Sequence, residues 1–223
     1  VLGLNHAKTA ILVVLVNPRA GGLLISGPQG IGKSTLMRST QELIERPWRD
    51  IPVSVTEDRL FGTIDTEKAI YSGQKKLYPG IINEADQGVL YLDDANLLRE
   101  DLLDSILNIA EVGAYQLERD GLSLRCDTSF TVIAAINPES GMLSGACLDQ
   151  FGLFVNVDNI HDENTRVEIL KRTISFEKDC ASFCKLWKLE NEKIKKAIHS
   201  AMSLLPKVVV SSAMIQLLSL IHI

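Results

Sequence analysis

Short apolar runs of strand length recur along the chain, and most are followed by a stretch with helical spacing. Ala7 to Val16 is an apolar run that stops at Asn17-Pro18, which predicts a first helix. Gly22 to Ser26 predicts a buried strand, and Thr35 to Ile44 a helix after it. Ile51 to Val55 is a short β-type run. Thr56 to Lys76 is polar, with Glu67–Ile70 as a short helical piece, and Gly80 to Asp86 predicts another helical turn. Gly88 to Asp93 is a continuous apolar strand of the kind a parallel sheet requires. From Asn96 to Val112, Leu97, Leu98, Leu102, Leu103, Ile106, Leu107 and Ile109 recur at helical spacing, and Gly113 suits the C-cap. Tyr115–Glu118 and Leu122–Arg125 flank Asp120-Gly121, a hairpin signal. Phe130 to Ile136 predicts a further buried strand ending at Asn137-Pro138. The alternation continues to about Val157 and predicts a right-handed α/β sheet covered on both faces. Beyond Asp162 the pattern is helical: Arg166–Glu177 and Glu190–Leu205 are amphipathic, Pro206 interrupts, and Val208 starts another helix. The expected organisation is an α/β core over 1–158 and a small helical lid over 159–223.

Composition narrows the function classes. The 223 residues are 46% hydrophobic with a formal net charge of -5, enough to bury a core and not the balance of a protein that coats nucleic acid. The apolar run Ala10–Val16 is too short to span a bilayer, and no secretory signal pattern precedes it, so the expectation is a cytoplasmic protein without a membrane segment. The chain opens on Val1, and its native start is expected upstream. The four cysteines, Cys126, Cys147, Cys180 and Cys184, form no C-x-x-C and read as reduced thiols, although Cys180 and Cys184 share a helical face. His6, His161, His199 and His222 are scattered and suggest no metal site.

The sharpest chemical signal is Gly27-Pro28-Gln29-Gly30-Ile31-Gly32-Lys33-Ser34, which fits the P-loop pattern G-x-x-x-x-G-K-[ST] and continues into Thr35. Its glycines let backbone N–H groups turn inward around phosphate oxygens. Lys33 supplies a point charge for the β- and γ-phosphates, and Ser34 a hydroxyl for Mg²⁺. A strand enters the loop and a helix leaves it, so the helix N-terminus faces the phosphates. Asp93 and Asp94 end the later strand Leu90-Tyr-Leu. Asp93 is positioned to hold Mg²⁺ and Asp94 to act as general base or water-orienting carboxylate, while Asp94 also suits a helix cap. Asn137 ends the next strand, where ligands of such sheets bind. Its amide is expected near the γ-phosphate or the attacking water, and it also suits a turn before Pro138.

These residues resemble AAA+ ATPases of the magnesium chelatase I-subunit group, close to the MoxR-type ATPases. The resemblance runs through Gly21–Thr35, Thr56-Glu-Asp-Arg-Leu-Phe-Gly-Thr-Ile-Asp65 with Glu67–Ile70, Tyr78-Pro-Gly80, Gly88–Leu98, Asn137–Gly141 and Leu148-Asp-Gln-Phe-Gly152. The Thr56–Asp65 segment separates this group from most other AAA+ branches. The resemblance implies a P-loop AAA+ parallel-sheet core with a helical lid, and ATP and Mg²⁺ as cofactors. It assigns Lys33 and Ser34 to Walker A, Asp93 and Asp94 to Walker B, and Asn137 to sensor 1. It makes the 114–125 hairpin the pre-sensor hairpin facing a ring pore. It also implies a homo-oligomeric ring, with a hexamer the natural size, a partner subunit carrying a von Willebrand-type domain, and a large porphyrin-binding subunit. The whole would be a magnesium- or cobalt-chelatase-like machine that drives metal insertion into a tetrapyrrole.

The sequence departs from the family pattern in three places. Asp94 stands where the family usually has Glu, one methylene longer. Gln150 stands where the family's Leu-x-Asp-Arg-Phe-Gly carries an arginine finger, worth about 10³–10⁵ in rate in GTPases. The sensor 2 arginine is expected beyond Ile223, with the lid incomplete and Leu220–Ile223 not native. Arg99, Arg119 and Arg125 are the alternative sources of a trans-acting charge, and Arg166 one near the lid boundary. A ring subunit that binds nucleotide and hydrolyses it weakly, and a MoxR-type chaperone or maturation ATPase, are therefore the alternatives within the fold. A nucleic-acid motor is disfavoured, because the hairpin sets Arg119 and Arg125 against Glu118 and Asp120.

Overall fold

A computed structural model of the chain describes residues 1–64, 77–119 and 122–221. In chain order, α1 (Asn5–Val16), β1 (Leu23–Ser26), α2 (Lys33–Gln41) and β2 (Trp48–Ile51) come first. Then follow α3 (Glu57–Phe61), β3 (Gly62–Ile64), β4 (Leu77–Pro79), α4 (Ile81–Glu84), β5 (Val89–Leu92) and α5 (Glu100–Val112). The hairpin strands β6 (Ala114–Arg119) and β7 (Leu122–Asp127) precede β8 (Thr131–Ile136), α6 (Gly145–Asp149) and β9 (Leu153–Asn156). The chain finishes in helices: α7 (Glu163–Lys178), α8 (Cys180–Leu204) and α9 (Ser212–Ile221).

The core is a five-stranded sheet in the order β2-β5-β8-β1-β9, with every neighbouring pair parallel. Strands buried on both faces read as unbroken apolar runs, and residue parity sorts their side chains. Leu24, Leu90, Leu92, Val132, Ala134 and Ile136 pack with α3, α4 and α5 through Leu60, Ile82, Leu103 and Ile106. Leu23, Ile25, Val89, Tyr91, Ile133 and Ala135 face the other way, against Ile11 and Val14 of α1 and Leu36 and Met37 of α2. Each large apolar side chain so buried contributes about 1.5–3 kcal/mol relative to exposure.

Several boundaries differ from the sequence reading. The strand expected over Ile51–Val55 is Trp48–Ile51, because Pro52 has no N–H to donate and ends the ladder. The helix after the P-loop starts at Lys33 and ends at Gln41, since Gly32 adopts the left-handed conformation (φ 94°) and turns the chain into the helix there. The single helix expected over Asn96–Val112 is a 3₁₀ turn, Ala95–Leu97, followed by α5. Leu98 is extended between them (ψ 150°), which buries Leu98 and leaves Leu97 exposed. Gly113 does cap α5 in the left-handed conformation (φ 78°). The hairpin pairs Tyr115 with Cys126 and Leu117 with Leu124; its Asp120-Gly121 turn and the helical piece Glu67–Ile70 lie outside the described residues.

The C-terminal helices are tied to the core lightly. Asp162 and Asp179 cap α7 and α8, accepting from Thr165 N at 2.8 Å and Ser182 N at 3.0 Å. Ile198 is the buried residue of α8, and it packs into the cluster around α1. Leu170, Ile174, Leu186, Leu189 and Val209 are exposed. Among the described residues no helix is long and apolar enough to cross a membrane.

Candidate functional site

The site forms at the carboxyl ends of β1, β5 and β8, where adjacent strands lead into different loops. β1 exits through Gly27, whose N–H donates to Ile136 O at 3.2 Å. A Cβ on Gly27 would stand 2.6 Å from Val157 O, so the strand can only leave through glycine. Pro28 and Gln29 carry the loop outward, and Ile31 returns to pack on the α1 face. Gly30 and Gly32 have φ of 82° and 94°, and among the described residues a Cβ on either would meet nothing within 4 Å, so open space adjoins the loop at both positions. α2 starts there without a side-chain cap and with no acidic residue in its first turn. Among the described residues its first N–H groups therefore have no side-chain cap, the arrangement that binds phosphate.

Lys33 is buried at 7% exposure and donates to Gly27 O at 2.6 Å and Pro28 O at 2.8 Å. Burial lowers its pKa, while the charges of Asp94 and Asp93 work in the opposite direction. A desolvated cation beside two carboxylates and an open N–H cradle fits a polyphosphate with its metal. Ser34, the next residue, donates its hydroxyl to Asp93 Oδ2 at 2.8 Å. Thr35 is exposed on the first turn of α2. The loop helix and the strand-end acid thus meet side chain to side chain, an arrangement that could hold a divalent cation.

Parity explains how the two aspartates divide. Asp93 continues the side of β5 that carries Val89 and Tyr91, which faces α2. Asp94 adopts the left-handed conformation (φ 50°), costing about 1–2 kcal/mol for a non-glycine residue. It occupies the N-cap position of the 3₁₀ turn but makes no side-chain cap, so the capping alternative is not what its carboxylate does here. Asn137 is buried at 8% exposure, with Oδ1 accepting from Glu139 N and Nδ2 donating to Ser140 Oγ, each at 3.2 Å. Its amide caps its own turn, at the strand end where the sequence placed it. Gln150 ends α6 half-exposed, its Nε2 donating to Ala146 O at 3.4 Å. Arg99 pairs with Glu57 at 3.2 Å and with Asp101, and Arg125 with Asp127 at 3.0 Å. Among the described residues no three His, Cys, Asp or Glu side chains cluster as a separate metal centre.

Known proteins resemble this chain over most of its length. A family model described as an AAA domain of the dynein-related subfamily matches residues 22–150. The magnesium-chelatase subunit ChlI homolog of Methanocaldococcus jannaschii is 32% identical over 98% of this chain and 70% of its own length. The magnesium-chelatase 38 kDa subunits of Chlorobaculum tepidum and Rhodobacter capsulatus are 33% and 34% identical, over 96% and 93% of this chain. The chain belongs to the magnesium-chelatase I-subunit family of AAA ATPases. A chain in a solved complex of subunits BchI and BchD of magnesium chelatase is 34% identical, with a TM-score of 0.64, over 90% of this chain and 73% of that one.

The chain spans 65% and 69% of the length of the two 38 kDa relatives. Their alignments run over 256 and 241 residues against 223 here, so the relatives carry segments that this chelatase-family chain lacks. Two residues that the sequence reading passed over also belong to the site. Tyr91 donates to Asp93 Oδ1 at 3.0 Å; its shared parity with Asp93 was the available signal. Asn96 joins the loop after β5 to the loop after β8, donating to Asn137 O at 3.2 Å and Gly141 O at 3.0 Å. Among the described residues, Asn96 Oδ1 is buried without a partner. No sequence signal marks Asn96, because its acceptors are backbone carbonyls on a distant segment.

Proposed function

We propose that this chain is the Mg·ATP-binding motor subunit of a magnesium- or cobalt-chelatase-like complex, and that it hydrolyses ATP weakly without help from a neighbouring subunit. The observation that carries the reading is the Ser34–Asp93 hydrogen bond at 2.8 Å beside the buried Lys33. The Gly27–Thr35 loop would bind the phosphates through backbone N–H groups, and Lys33 would neutralise them. Ser34 and Asp93 would hold Mg²⁺, whose chemistry is to neutralise charge developing on the phosphates. Asp94 would orient or deprotonate water, and Asn137, once its amide leaves its own turn, would sense the γ-phosphate. The division into a core over 1–158 and a lid over 159–223 belongs to the same reading. Exposed apolar side chains on α7 to α9 support assembly into a ring, which we take to be hexameric, with a von Willebrand-type partner subunit and a large porphyrin-binding subunit.

Gln150 favours weak turnover. It donates hydrogen bonds but carries no charge, and Arg99 and Arg125 are engaged by acids of their own surface. Mg·ATP turnover of the chain and of Gln150→Arg, measured across protein concentration, tests this. Slow turnover in the parent, raised at least about tenfold by the arginine and steeper with concentration, is expected. Fast parental turnover that Gln150→Arg leaves unchanged would overturn the weak-hydrolysis reading.

A further inference from the structure

The carboxylate of Asp93 is held at both oxygens by donors from different elements. Ser34, on α2, takes Oδ2 at 2.8 Å, and Tyr91, on β5 itself, takes Oδ1 at 3.0 Å. A carboxyl group rotates broadly about its last torsion, so a single orientation needs more than one restraint. The Tyr91 ring is fixed: it is 5% exposed and packs at 6.0 Å, centroid to centroid, on Trp48. The sheet register sets Asp50 of β2 opposite Tyr91, a second acceptor that could compete for the phenol. Asp50 is engaged instead by Trp48 Nε1 at 2.7 Å. Tyr91 and Asp93 border a cleft of about 370 Å³ between α2 and β2, bounded also by Arg38, Trp48 and Asp50, so the pair has a solvent-facing side.

We propose that Tyr91 is a positioning residue for the metal ion, holding Asp93 Oδ1 so that Oδ2, the oxygen shared with Ser34, faces the ion. The inference rests on the reading of Ser34 and Asp93 as the Mg²⁺ holders. Mg²⁺ demands near-ideal octahedral geometry and accepts few protein carboxylates, so a ligand that swings freely binds it poorly. Loss of a hydrogen bond behind a metal-binding carboxylate typically costs 10–100-fold in metal affinity.

The test compares the full chain with Tyr91→Phe and Asp93→Asn. Affinity for a fluorescent ATP analogue is measured in EDTA and across a Mg²⁺ titration, alongside thermal melting. Tyr91→Phe keeps the ring and removes one hydroxyl. Its half-saturating Mg²⁺ concentration should rise about tenfold, while its affinity in EDTA stays that of the parent. Asp93→Asn should lose Mg²⁺-dependent tightening altogether. An unchanged Mg²⁺ midpoint in Tyr91→Phe, with Asp93→Asn behaving as expected, would overturn the role of Tyr91 and leave the site reading standing. Equal loss of affinity with and without Mg²⁺, together with a lowered melting temperature, would also overturn it by making Tyr91 merely structural. A parent without any Mg²⁺ tightening would remove the site reading and this inference together.

Discussion

Two glycines of the P-loop separate folding from binding. Gly32 has φ 94°, and a Cβ added there meets nothing within 4 Å among the described residues. Gly32→Ala therefore adds backbone strain alone, about 1–2 kcal/mol for a left-handed L-residue. In a chain of this size that is a fall in melting temperature of roughly 2–8 °C. The new methyl projects into the open side of the loop, and relieving the strain would swing the adjoining N–H groups away. Losing two charge-assisted hydrogen bonds costs about 3–6 kcal/mol, or about 10²–10⁴ in affinity. Gly27 has the opposite character. Its added Cβ would lie 2.5 Å from Val157 Cγ2 and 2.6 Å from Val157 O, so β9 and the loop must move apart. Overpacking of that kind costs about 1–3 kcal/mol or more and strains the Gly27 N–H bond to Ile136 O. Circular dichroism melts and calorimetric ATP titrations of both variants read the two effects. Gly32→Ala should stay folded and lose ATP; Gly27→Ala should lose its fold first. Gly32→Ala binding ATP within threefold of the parent would refute the cradle.

Two further expectations concern the thiols and the caps. Cys180 and Cys184 are exposed, with sulfurs 3.9 Å apart, while Cys126 and Cys147 are buried. Burial and the Asp104 contact also raise the Cys147 pKa. A thiol reagent should label the exposed pair within minutes and the buried pair only on unfolding, as mass spectrometry of the native protein would reveal. Asp162 and Asp179 have pKa values held below the ordinary carboxylate range, first by the side-chain hydroxyls of Thr165 and Ser182 and then by their N–H groups. A lowered folded-state pKa means the unfolded chain binds more protons in the window between the two values. The capping contribution is thus complete above the unfolded value near 3.8 and is lost as pH falls through the folded value. Asp179→Asn, which still caps, should melt like the parent at neutral pH and show a shallower decline in acid.

The legible parts of the sequence were those where one local pattern needs one geometry. Gly27–Ser34 dictates a cradle, and the run Leu90–Leu92 before Asp93 dictates a buried parallel strand. β2 was misplaced because Trp48-Arg-Asp-Ile carries two exposed polar residues, whereas the apolar positions after it belong to a turn that Pro52 forces. The break at Leu98 was hidden because an extended residue that turns inward leaves the apolar spacing intact. Asn96 acts through the carbonyls of Asn137 and Gly141, and a contact between distant segments leaves no periodic trace. Tyr91 lay closer to reach, since residues two apart on a strand share a face.

If Lys33, Ser34 and Asp93 form one Mg·ATP site, losing the Lys33 charge removes nucleotide binding. The most direct measurement is calorimetric titration of ATP in Mg²⁺ into the parent chain and into Lys33→Ala, with melting curves for both. Saturable binding by the parent at one ATP per chain, abolished in a Lys33→Ala protein that still melts cooperatively, is the predicted result. Undiminished ATP affinity in a folded Lys33→Ala variant would contradict a shared Mg·ATP site at these residues.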